Sequence, residues 1–383
     1  MSMHHDLLQG SVTPGQRADL DRLLLSWYSA HKRDLPWRKT RDPYRIWISE
    51  VMLQQTQVET VIPYYRRFLK LFPSLGRLAQ ATMEEVLLVW AGLGYYSRAR
   101  NLHKAAQQIV FRHEGLFPQT FEDVLSLPGI GRYTAGAIMS IAFGQPYPVV
   151  DGNVTRVLTR LFRVEQDIRQ RRTHDLLWKI ASHLVPRERP GDFNQALMEL
   201  GATVCTPRQP SCRCCPFGGL CKARESGVQD HLPNKENLLR SVKQHLAVAV
   251  IHHQGRVLMR QRKEGSLLKG LWEFPNTGFQ ARPVSRRSLT QTIQRSIGRP
   301  IRIGSPLPGI NHAITHRRIA IRPYWVELRA TGTPGSIPGM KWVPMSQLTR
   351  YPMDAATQRI ADVIRRRRGT FASRPQQDKH GEI

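Results

Sequence analysis

Residues 127–131 read Leu-Pro-Gly-Ile-Gly, and they lie between two stretches, 120–126 and 133–143, whose sequences favour helices. Glycine tolerates a positive φ angle, so the pattern predicts a tight hairpin in which several backbone N–H groups point outward. Such N–H groups at the start of a following helix bind phosphate without reading base sequence. We therefore interpret the segment as a helix-hairpin-helix whose backbone at Gly129 and Gly131 binds phosphate groups. A tight turn without a ligand is the alternative.

A second short stretch follows, in which residues 149–153 read Val-Val-Asp-Gly-Asn. An apolar pair that ends in Asp next to Gly suits a carboxylate held at the start of a buried helix. Asp151 is therefore a candidate functional carboxylate. The alternative is a plain N-cap, in which the Asp side chain accepts hydrogen bonds from the first helical turn, and one residue can serve in both ways.

The chain of 383 residues is strongly basic, with 57 Lys and Arg against 29 Asp and Glu and a net charge of +28. Nucleic acid is the leading partner, because phosphate contacts supply affinity that does not depend on sequence. A generally basic proteome or an anionic membrane surface would also explain the charge. No run approaches the ~18 apolar residues that a membrane span needs, and Met1–Gly10 lacks the apolar core of a signal peptide. We expect an intracellular, cytoplasmic protein that associates with the nucleoid and not with membranes.

The pattern of apolar and polar residues changes near residue 244. The residues before it are largely helical in pattern, whereas the residues after it alternate β-prone runs with helical stretches, which is typical of an α+β domain. The predicted organisation is a helical domain over 1–225 with the helix-hairpin-helix at 120–143 and a cysteine loop at 205–221, a polar linker over 226–243, an α+β domain over 244–368, and a disordered tail over 369–383. Within the α+β domain we predict strands at 246–251, 256–261, 271–274, 319–328 and 341–343, and helices at 285–297 and 355–366.

All five cysteines lie between residues 205 and 221. In a reducing compartment this clustering favours a metal site over disulfides. Zinc sites with four cysteines usually show two close Cys-x2-Cys pairs, and here only one pair is close. Four thiolates suit zinc or an iron–sulfur cluster, and Cys214 is the one left over. The candidate ligands have the spacing C-x6-C-x2-C-x5-C and are Cys205, Cys212, Cys215 and Cys221.

Two further stretches resemble a known family. Residues 47–57 read WISEVMLQQTQ and residues 92–102 read GLGYYSRARNL, and both are similar to signatures of the MutY family of adenine DNA glycosylases. Residues 20–225 match the catalytic domain that this family shares with endonuclease III almost without gaps. The second half more weakly resembles the family's C-terminal domain, which has a Nudix (MutT) fold.

The resemblance implies a base excision repair enzyme of the helix-hairpin-helix superfamily. Such an enzyme hydrolyses the N-glycosidic bond of adenine where adenine lies opposite 8-oxoguanine or guanine in double-stranded DNA. The cysteine spacing resembles the family's 4Fe–4S loop, so a 4Fe–4S cluster is the implied cofactor. In the functional interpretation the cluster makes a basic loop rigid, and this loop contacts DNA. In the alternative the cluster only stabilises the fold. We expect a monomer.

The resemblance also implies two catalytic carboxylates. Breaking the N9–C1′ bond leaves electron density on adenine and positive charge on the sugar, as in glycoside hydrolysis. By resemblance Glu50 protonates N7 of adenine, Asp151 stays ionised and stabilises the oxocarbenium ion, and Asn153 orients Asp151. Without the resemblance, Glu50 would be interpreted as a partly buried carboxylate whose hydrogen bonds are all made. Its apolar neighbours would raise its pKa if that surface is buried, which is the state that a proton donor needs.

Tyr133 follows the hairpin at the position where endonuclease III has a lysine that forms a Schiff base. Residues 131–136 offer no amine, so we expect a monofunctional glycosylase with an auxiliary role for Tyr133. An endonuclease III-like pyrimidine glycosylase and lyase is one alternative, disfavoured by Tyr133 and by the extra domain. The other is a DNA-binding scaffold without turnover, disfavoured by the presence of both Glu50 and Asp151.

The remaining implied residues bind the substrate. For each aromatic among them, core packing is the alternative. By resemblance the adenine pocket contains Trp37, Arg38 and Gln195, and the residues that wedge into the duplex or contact 8-oxoguanine are Gln55, Thr56 and Tyr95.

The α+β domain departs from both of its relatives. A working Nudix hydrolase needs clustered glutamates to hold magnesium, and this chain has Arg286, Arg287 and Arg295 there instead. We therefore expect the domain to recognise and not to hydrolyse. The family's lesion loop reads Phe-Ser-His, whereas residues 314–316 read Ile-Thr-His, which leaves the Thr315 hydroxyl and the His316 imidazole as candidate lesion contacts.

Overall fold

The computed structural model describes residues 13–235, 241–263, 268–314, 316–329 and 336–371. Of the predicted site residues, Thr315 lies outside the described residues. The chain divides into two compact units. The first takes in Met1–Ala81 and Asn101–Leu238 and the second Thr82–Arg100 and Leu239–Ile383, so far as these residues are described.

Most of the first unit is helical. In chain order the helices of both units are α1 (Pro14–His31), α2 (Pro43–Leu53), α3 (Val58–Leu71), α4 (Leu75–Gln80), α5 (Met83–Trp90), α6 (Ser97–Arg112), α7 (Phe121–Ser126), α8 (Arg132–Ile141), α9 (Gly152–Leu161), α10 (Arg171–Leu184), α11 (Pro190–Thr203), α12 (Lys222–Glu225), α13 (Arg286–Ile297) and α14 (Ala355–Phe371). One core cluster of the first unit joins apolar residues of α1, α9, α10 and α11, among them Leu24, Val157, Trp178 and Leu197.

The predicted hairpin is present between α7 and α8. Gly129 has a φ of +79°, and a Cβ atom there would lie 2.6 Å from Cβ of Asn101, so both backbone and space require glycine. Gly131 differs from the expectation of a positive φ. Its φ is −101°, in the extended region, and it is the N-cap residue of α8 without a side-chain cap. Gly131 therefore leaves the first backbone N–H groups of α8 without a side-chain cap, and it does not form a left-handed turn.

The second unit is built on a seven-stranded sheet. Its strands are β1 (Val242–His253), β2 (Arg256–Gln261), β3 (Trp272–Glu273), β4 (Ile301–Pro306), β5 (Ile310–Ile314), β6 (Arg317–Leu328) and β7 (Met340–Pro344). The sheet order is β3-β2-β1-β6-β4, with β5 paired to β6 and β7 paired to β2. Strands β1 and β6 run parallel, and the other named pairs are antiparallel.

Both faces of the sheet are covered by a helix. Alternate residues of β1 point to opposite faces, so Val248 and Val250 join one core cluster and Ala249 and Ile251 the other. Helix α14 packs on the first face and α13 on the second. The predicted fold class, a helical region followed by an α+β domain, is confirmed.

Helix α5 and the residues after it belong to the second unit. Trp272 Nε1 donates a hydrogen bond of 3.0 Å to Glu84, and the Tyr96 hydroxyl donates one of 3.2 Å to the Met353 carbonyl. These bonds bring a segment that is helical in sequence into the same unit as the sheet.

Three details differ from the sequence-based expectations. Strands β4 and β5 were not predicted. The stretch after residue 226 is packed as far as residue 234: Leu232 is buried and its carbonyl accepts a bond from Arg160. Helix α14 continues to Phe371, past the predicted start of the tail, while residues 372–383 lie outside the described part. No helix in the described ranges combines the length and apolarity needed to cross a bilayer.

Candidate active site

The first unit contains a cavity of about 510 Å³ between α2, α8, α9 and α11. This volume is within the usual size range of small-molecule pockets. The cavity brings together predicted residues that are far apart in sequence, namely Trp37, Arg38, Glu50, Gln55, Thr56, Tyr133, Asp151, Asn153 and Gln195.

Glu50 lies in the last turn of α2, a helix that is buried along most of its length, and its own exposure is 4%. The Tyr133 hydroxyl donates a hydrogen bond of 2.6 Å to Oε2 of Glu50. Burial raises the pKa of Glu50 to about 7, against the opposing effect of the Tyr133 hydrogen bond. The negative charge of Asp151 adds to the rise, and Arg38 opposes it. Glu50 is therefore protonated in a large fraction of molecules near neutral pH.

Asp151 is the N-cap of α9. The backbone N–H of Val154 donates a 2.7 Å bond to its Oδ1, and Asn153 Nδ2 donates a 3.0 Å bond to its Oδ2. Burial raises the pKa of Asp151, while these hydrogen bonds favour the charged form. Asp151 therefore caps α9 and lines the cavity at the same time.

Arg156 connects the carboxylate to the cysteine loop, and the sequence reasoning missed it. Its Nη2 donates a 2.9 Å bond to Oδ1 of Asn153, and its Nε donates a 2.6 Å bond to the carbonyl of Cys205. A further bond goes to the carbonyl of Gly201. Because Asn153 is also bonded to Asp151, a continuous series of hydrogen bonds joins the backbone of Cys205 to the carboxylate in the cavity.

We expect Arg156→Gln to lower the rate of base excision by about tenfold to 10²-fold, because Asn153 loses the bond that fixes it and Asp151 is misplaced. The free energy of unfolding should fall by about 1–3 kcal/mol, since buried acceptors lose their donor. Single-turnover rates and thermal unfolding measure both effects. Arg163→Gln, at an exposed surface ion pair, is the matched control. A variant with wild-type rate would show that the contact is only structural.

Glu199 is a second buried carboxylate of the cavity that the sequence reasoning missed. It lies on α11 with 1% exposure and accepts hydrogen bonds from Nη2 of Arg33, at 2.7 Å, and from Nη2 of Arg38, at 2.8 Å. Burial raises its pKa, but the bonds from the two arginines outweigh burial and hold the pKa at about 2. The available signal was an isolated acid in the apolar run 196–200, which is the same signal that Glu50 gives.

The two buried glutamates of the cavity therefore have opposite charge states. Glu50 has a hydroxyl donor beside it and a raised pKa, whereas Glu199 has two guanidinium groups and a lowered pKa. A pair of carboxylates whose surroundings move their pKa values apart can supply one proton donor and one fixed anion.

Three of the five cysteines, Cys205, Cys215 and Cys221, pack against a core cluster of the first unit. Burial raises the pKa of Cys215 to about 12, and the negative charges of the three other thiolates of the predicted set add to the rise. Cys214 is exposed. In the described part of the chain, no three or more His, Cys, Asp or Glu side chains form a group ready to hold a metal ion.

The second unit has a cavity of about 400 Å³ that brings together Tyr95, Arg100, His312 and Ile314. Tyr95 is 41% exposed and has a φ of +47°, in the left-handed region. The stretch 314–316 thus begins at the end of β5, and His316 follows in the turn before β6. Helix α13, where a Nudix hydrolase would present glutamates, has no acidic residue.

Comparisons with known proteins define the class. The model of the HhH-GPD superfamily base excision DNA repair proteins matches residues 48–183, and a NUDIX domain model matches residues 246–363. Together with the hairpin and the cavity, this makes the chain a helix-hairpin-helix protein of base excision DNA repair.

Individual relatives narrow the class. Adenine DNA glycosylase of Homo sapiens is 37% identical over 88% of this chain and 72% of its own length, and that of Arabidopsis thaliana is 43% identical over 66% of this chain and 46% of its own. A solved thermostable thymine-DNA glycosylase aligns with a TM-score of 0.50 and 32% identity, over 55% of this chain and 97% of that one. The chain belongs to the adenine DNA glycosylase family, as the sequence motifs predicted.

Proposed function

We propose that this chain excises adenine from duplex DNA where adenine lies opposite 8-oxoguanine or guanine, and that it acts as a monomer without cutting the strand. The observation that supports this most is one cavity lined both by a protonatable Glu50, which accepts a hydrogen bond from Tyr133, and by Asp151, the N-cap of α9. Family membership supports the glycosylase chemistry.

Glu50 is the proton donor. Cleavage of the glycosidic bond leaves negative charge on adenine, and protonation at N7 turns adenine into a neutral leaving group. A donor works best when its pKa is near the working pH, and the pKa of Glu50 is about 7. Tyr133 holds one carboxyl oxygen and so fixes the orientation of the group.

Asp151 stabilises the positive charge that develops on the sugar. Its two oxygens each accept a hydrogen bond from α9, so the carboxylate is oriented before substrate binds. Water then completes the hydrolysis at C1′. Tyr133 has no amine with which to form a Schiff base, so the product is an abasic site in an intact strand.

Glu199 and Arg38 give the cavity its preference for adenine. All four acceptor sites of the ionised Glu199 are taken by Arg33 and Arg38. Glu199 therefore acts by holding Arg38 in place, and Arg38 can donate to a ring nitrogen of adenine. Trp37 and Gln195 line the same cavity. Flipping a base out of the duplex costs a few kcal/mol, and these contacts, with a wedge at Gln55 and Thr56, offset that cost.

The cavity of the second unit is the candidate reader of the lesion. An exposed Tyr95 lies there with Ile314, at the start of the stretch predicted to contact 8-oxoguanine. An aromatic ring at this place can stack on a base, and the His316 imidazole next along the chain can bond to its edge. The lack of acids on α13 supports recognition without hydrolysis.

The test uses four duplexes with adenine opposite 8-oxoguanine, guanine, cytosine or thymine, each incubated with the full chain and then treated with alkali. We expect cleavage after alkali with 8-oxoguanine and guanine, and little with the other two. Untreated samples should stay intact. Equal activity on all four duplexes would contradict the proposed specificity, and efficient borohydride trapping would contradict the monofunctional chemistry.

We expect Tyr133→Phe to shift the pH profile upward. The Tyr133 hydrogen bond lowers the pKa of Glu50, so its loss should move the pKa above about 7. An acid must be protonated to act, so the rate falls as pH rises through that pKa, and the falling limb of the variant should lie at higher pH. Single-turnover rates across the neutral range measure this. A limb that stays in place or moves to lower pH would contradict the assignment of Glu50 as the donor.

We infer that Cys205, Cys212, Cys215 and Cys221 hold a 4Fe–4S cluster. A cubane spreads its four thiolate ligands over four iron atoms, so the sulfurs stand further apart than around one zinc ion. The spacing C-x6-C-x2-C-x5-C, with only one close pair, and membership of the adenine DNA glycosylase family support a cluster over zinc. When bound, the cluster would hold residues 205–221 next to α9, where Arg160 Nη1 lies 3.3 Å from Cys205 Sγ.

The purified protein should be brown and contain about four iron atoms per chain, as a cubane with four thiolate ligands requires. Elemental analysis and the visible absorption spectrum measure this. Cys214→Ser should leave the iron content unchanged because Cys214 is exposed, whereas Cys212→Ser should lower it. One zinc and no iron per chain would overturn the assignment.

A further inference from the structure

The loop between α5 and α6 presents Tyr95 in a constrained conformation. The residue is 41% exposed, and its φ of +47° lies in the left-handed region. This conformation costs free energy in a residue that has a Cβ atom, and it persists only where the surroundings hold it. Arg98, in the first turn of α6, is the side chain placed to hold it.

Arg98 contacts both the backbone and the ring of Tyr95. Its Nη2 donates a 3.2 Å hydrogen bond to the carbonyl of Gly94, which belongs to the peptide bond that leads into Tyr95. Its guanidinium carbon lies 5.3 Å from the centroid of the Tyr95 ring, within the ~6 Å at which a cation attracts an aromatic face. One guanidinium group therefore restrains the orientation of the peptide bond and the position of the ring together.

Trp90, the last residue of α5, supports the same arrangement. The centroid of its ring lies 5.5 Å from the guanidinium carbon of Arg98, and its Nε1 donates a 3.1 Å bond to the same carbonyl of Gly94. Arg98 is only 8% exposed. Burial lowers the pKa of Arg98 to about 10, against the opposing effect of Tyr95. The guanidinium group is therefore charged at neutral pH, as a contact between a cation and an aromatic ring requires.

We propose that Arg98 is a positioning residue for Tyr95, which it holds in place before a base stacks on the ring. A ring that is already held in place loses less entropy when it stacks. The inference rests on the proposed role of Tyr95 in reading the lesion. Tyr95 lines the cavity that contains Ile314, whereas Arg98 does not line it. Arg98 therefore acts on the lesion through Tyr95.

The first test reads the position of the ring and needs no DNA. The full chain is labelled with 3-fluorotyrosine, and the ¹⁹F resonance of Tyr95 is identified by its absence from Tyr95→Phe. Arg98→Met keeps the length of the side chain but removes the charge, and we expect it to move this resonance toward that of free fluorotyrosine. Arg98→Lys keeps the charge and should move the resonance less. Arg112→Met, at an exposed position at the end of α6, is the matched control and should leave it unchanged.

A Tyr95 resonance that stays in place in Arg98→Met, or that moves equally in Arg98→Met and Arg98→Lys, would overturn the proposal. If Arg98→Met does not fold, Arg98→Lys carries the test. Its ammonium group lacks the planar fork of the guanidinium group, so the resonance must still move in the same direction, and the absence of a shift would overturn the proposal.

The second test measures binding to a duplex in which 2′-fluoroadenosine, which resists excision, lies opposite 8-oxoguanine. Arg98→Met should weaken binding by about threefold to tenfold, the size of one cation–π contact. In a Tyr95→Leu background the same substitution should weaken binding by less than about twofold, because the effects of two residues in contact are not additive. An equal loss in both backgrounds would show that Arg98 acts without the ring, and it would overturn the proposal.

The two tests also separate this proposal from the proposed function. If Tyr95→Leu binds the duplex as tightly as wild type, Tyr95 does not read the lesion, and the ¹⁹F resonance still decides whether Arg98 positions the ring. Thermal unfolding of each variant is measured alongside. A loss of stability in Arg98→Met with an unchanged resonance and unchanged binding would assign Arg98 a structural role alone.

Discussion

Replacing Glu50 by Gln is expected to lower the rate of adenine excision by about 10²–10⁴-fold, the usual contribution of a general acid. Gln keeps the shape of the side chain and can still accept the Tyr133 hydrogen bond, but it has no acidic proton to give to adenine. Duplex binding should persist, because the cavity residues around it are unchanged. Burial of the ionised carboxylate disfavours folding above pH 7, so the variant should also unfold at a slightly higher temperature there.

Single-turnover excision and duplex binding, measured side by side, separate the two effects. Glu59→Gln, at an exposed position in the first turn of α3, is the matched control and should behave as wild type. A Glu50→Gln protein that excises at near wild-type rate would remove Glu50 from the mechanism, whereas one that neither binds nor folds would assign it a structural role.

Asp151→Asn is expected to lower the rate of excision by about 10²–10³-fold or more, because the developing cation loses its anionic neighbour. Asn is as good an N-cap as Asp, and its Oδ1 can still accept the Val154 N–H, so α9 should form. Burial raises the pKa of Asp151 above its unfolded value. When folding raises the pKa of a carboxyl group, the protein loses stability as pH rises, so the neutral amide recovers stability at neutral pH. The loss of the bond from Asn153 to Oδ2 offsets part of this gain, and the unfolding temperature should change little.

The comparison for this variant is Asp175→Asn, an exposed acid on α10. Loss of activity with unchanged or increased thermal stability would distinguish a catalytic carboxylate from a helix cap. A loss of stability equal to that of a missing cap, with activity kept per folded molecule, would contradict the catalytic assignment.

The sequence predicted those parts of the fold that depend on neighbouring residues in the chain. Residues 127–131 predicted the hairpin from glycine and proline alone, and the apolar run 246–251 predicted a strand. Strand β5 was missed because its two polar residues, Asn311 and His312, are adjacent and break the period-two alternation of a strand. The strand forms because it pairs with β6. Segment 82–100 is helical in sequence, and only its bonds to residues near 272 and 353 place it in the second unit.

The candidate site divides in the same way. Motifs pointed to Glu50 and Asp151, and the structure brings them to one cavity. Glu199 and Arg156 have no motif around them, and their meaning comes from partners distant in sequence: Arg33 and Arg38 for Glu199, and Cys205 for Arg156. The apolar neighbours of Glu50 predicted its raised pKa on the condition of burial. The lowered pKa of Glu199 could not be predicted, because the direction of a pKa shift depends on which donors a buried carboxylate meets in three dimensions.

The bond from Tyr133 to Oε2 of Glu50 also makes the two oxygens of that carboxyl group different. A carboxylic acid has one carbonyl oxygen and one hydroxyl oxygen, and the carbonyl oxygen is the better acceptor. The 2.6 Å bond that Tyr133 donates to Oε2 therefore favours the acidic hydrogen on Oε1. Delivery of the proton is then directed within the carboxyl group, and a purine that enters the cavity with its basic nitrogen toward Oε1 is the one placed to receive it.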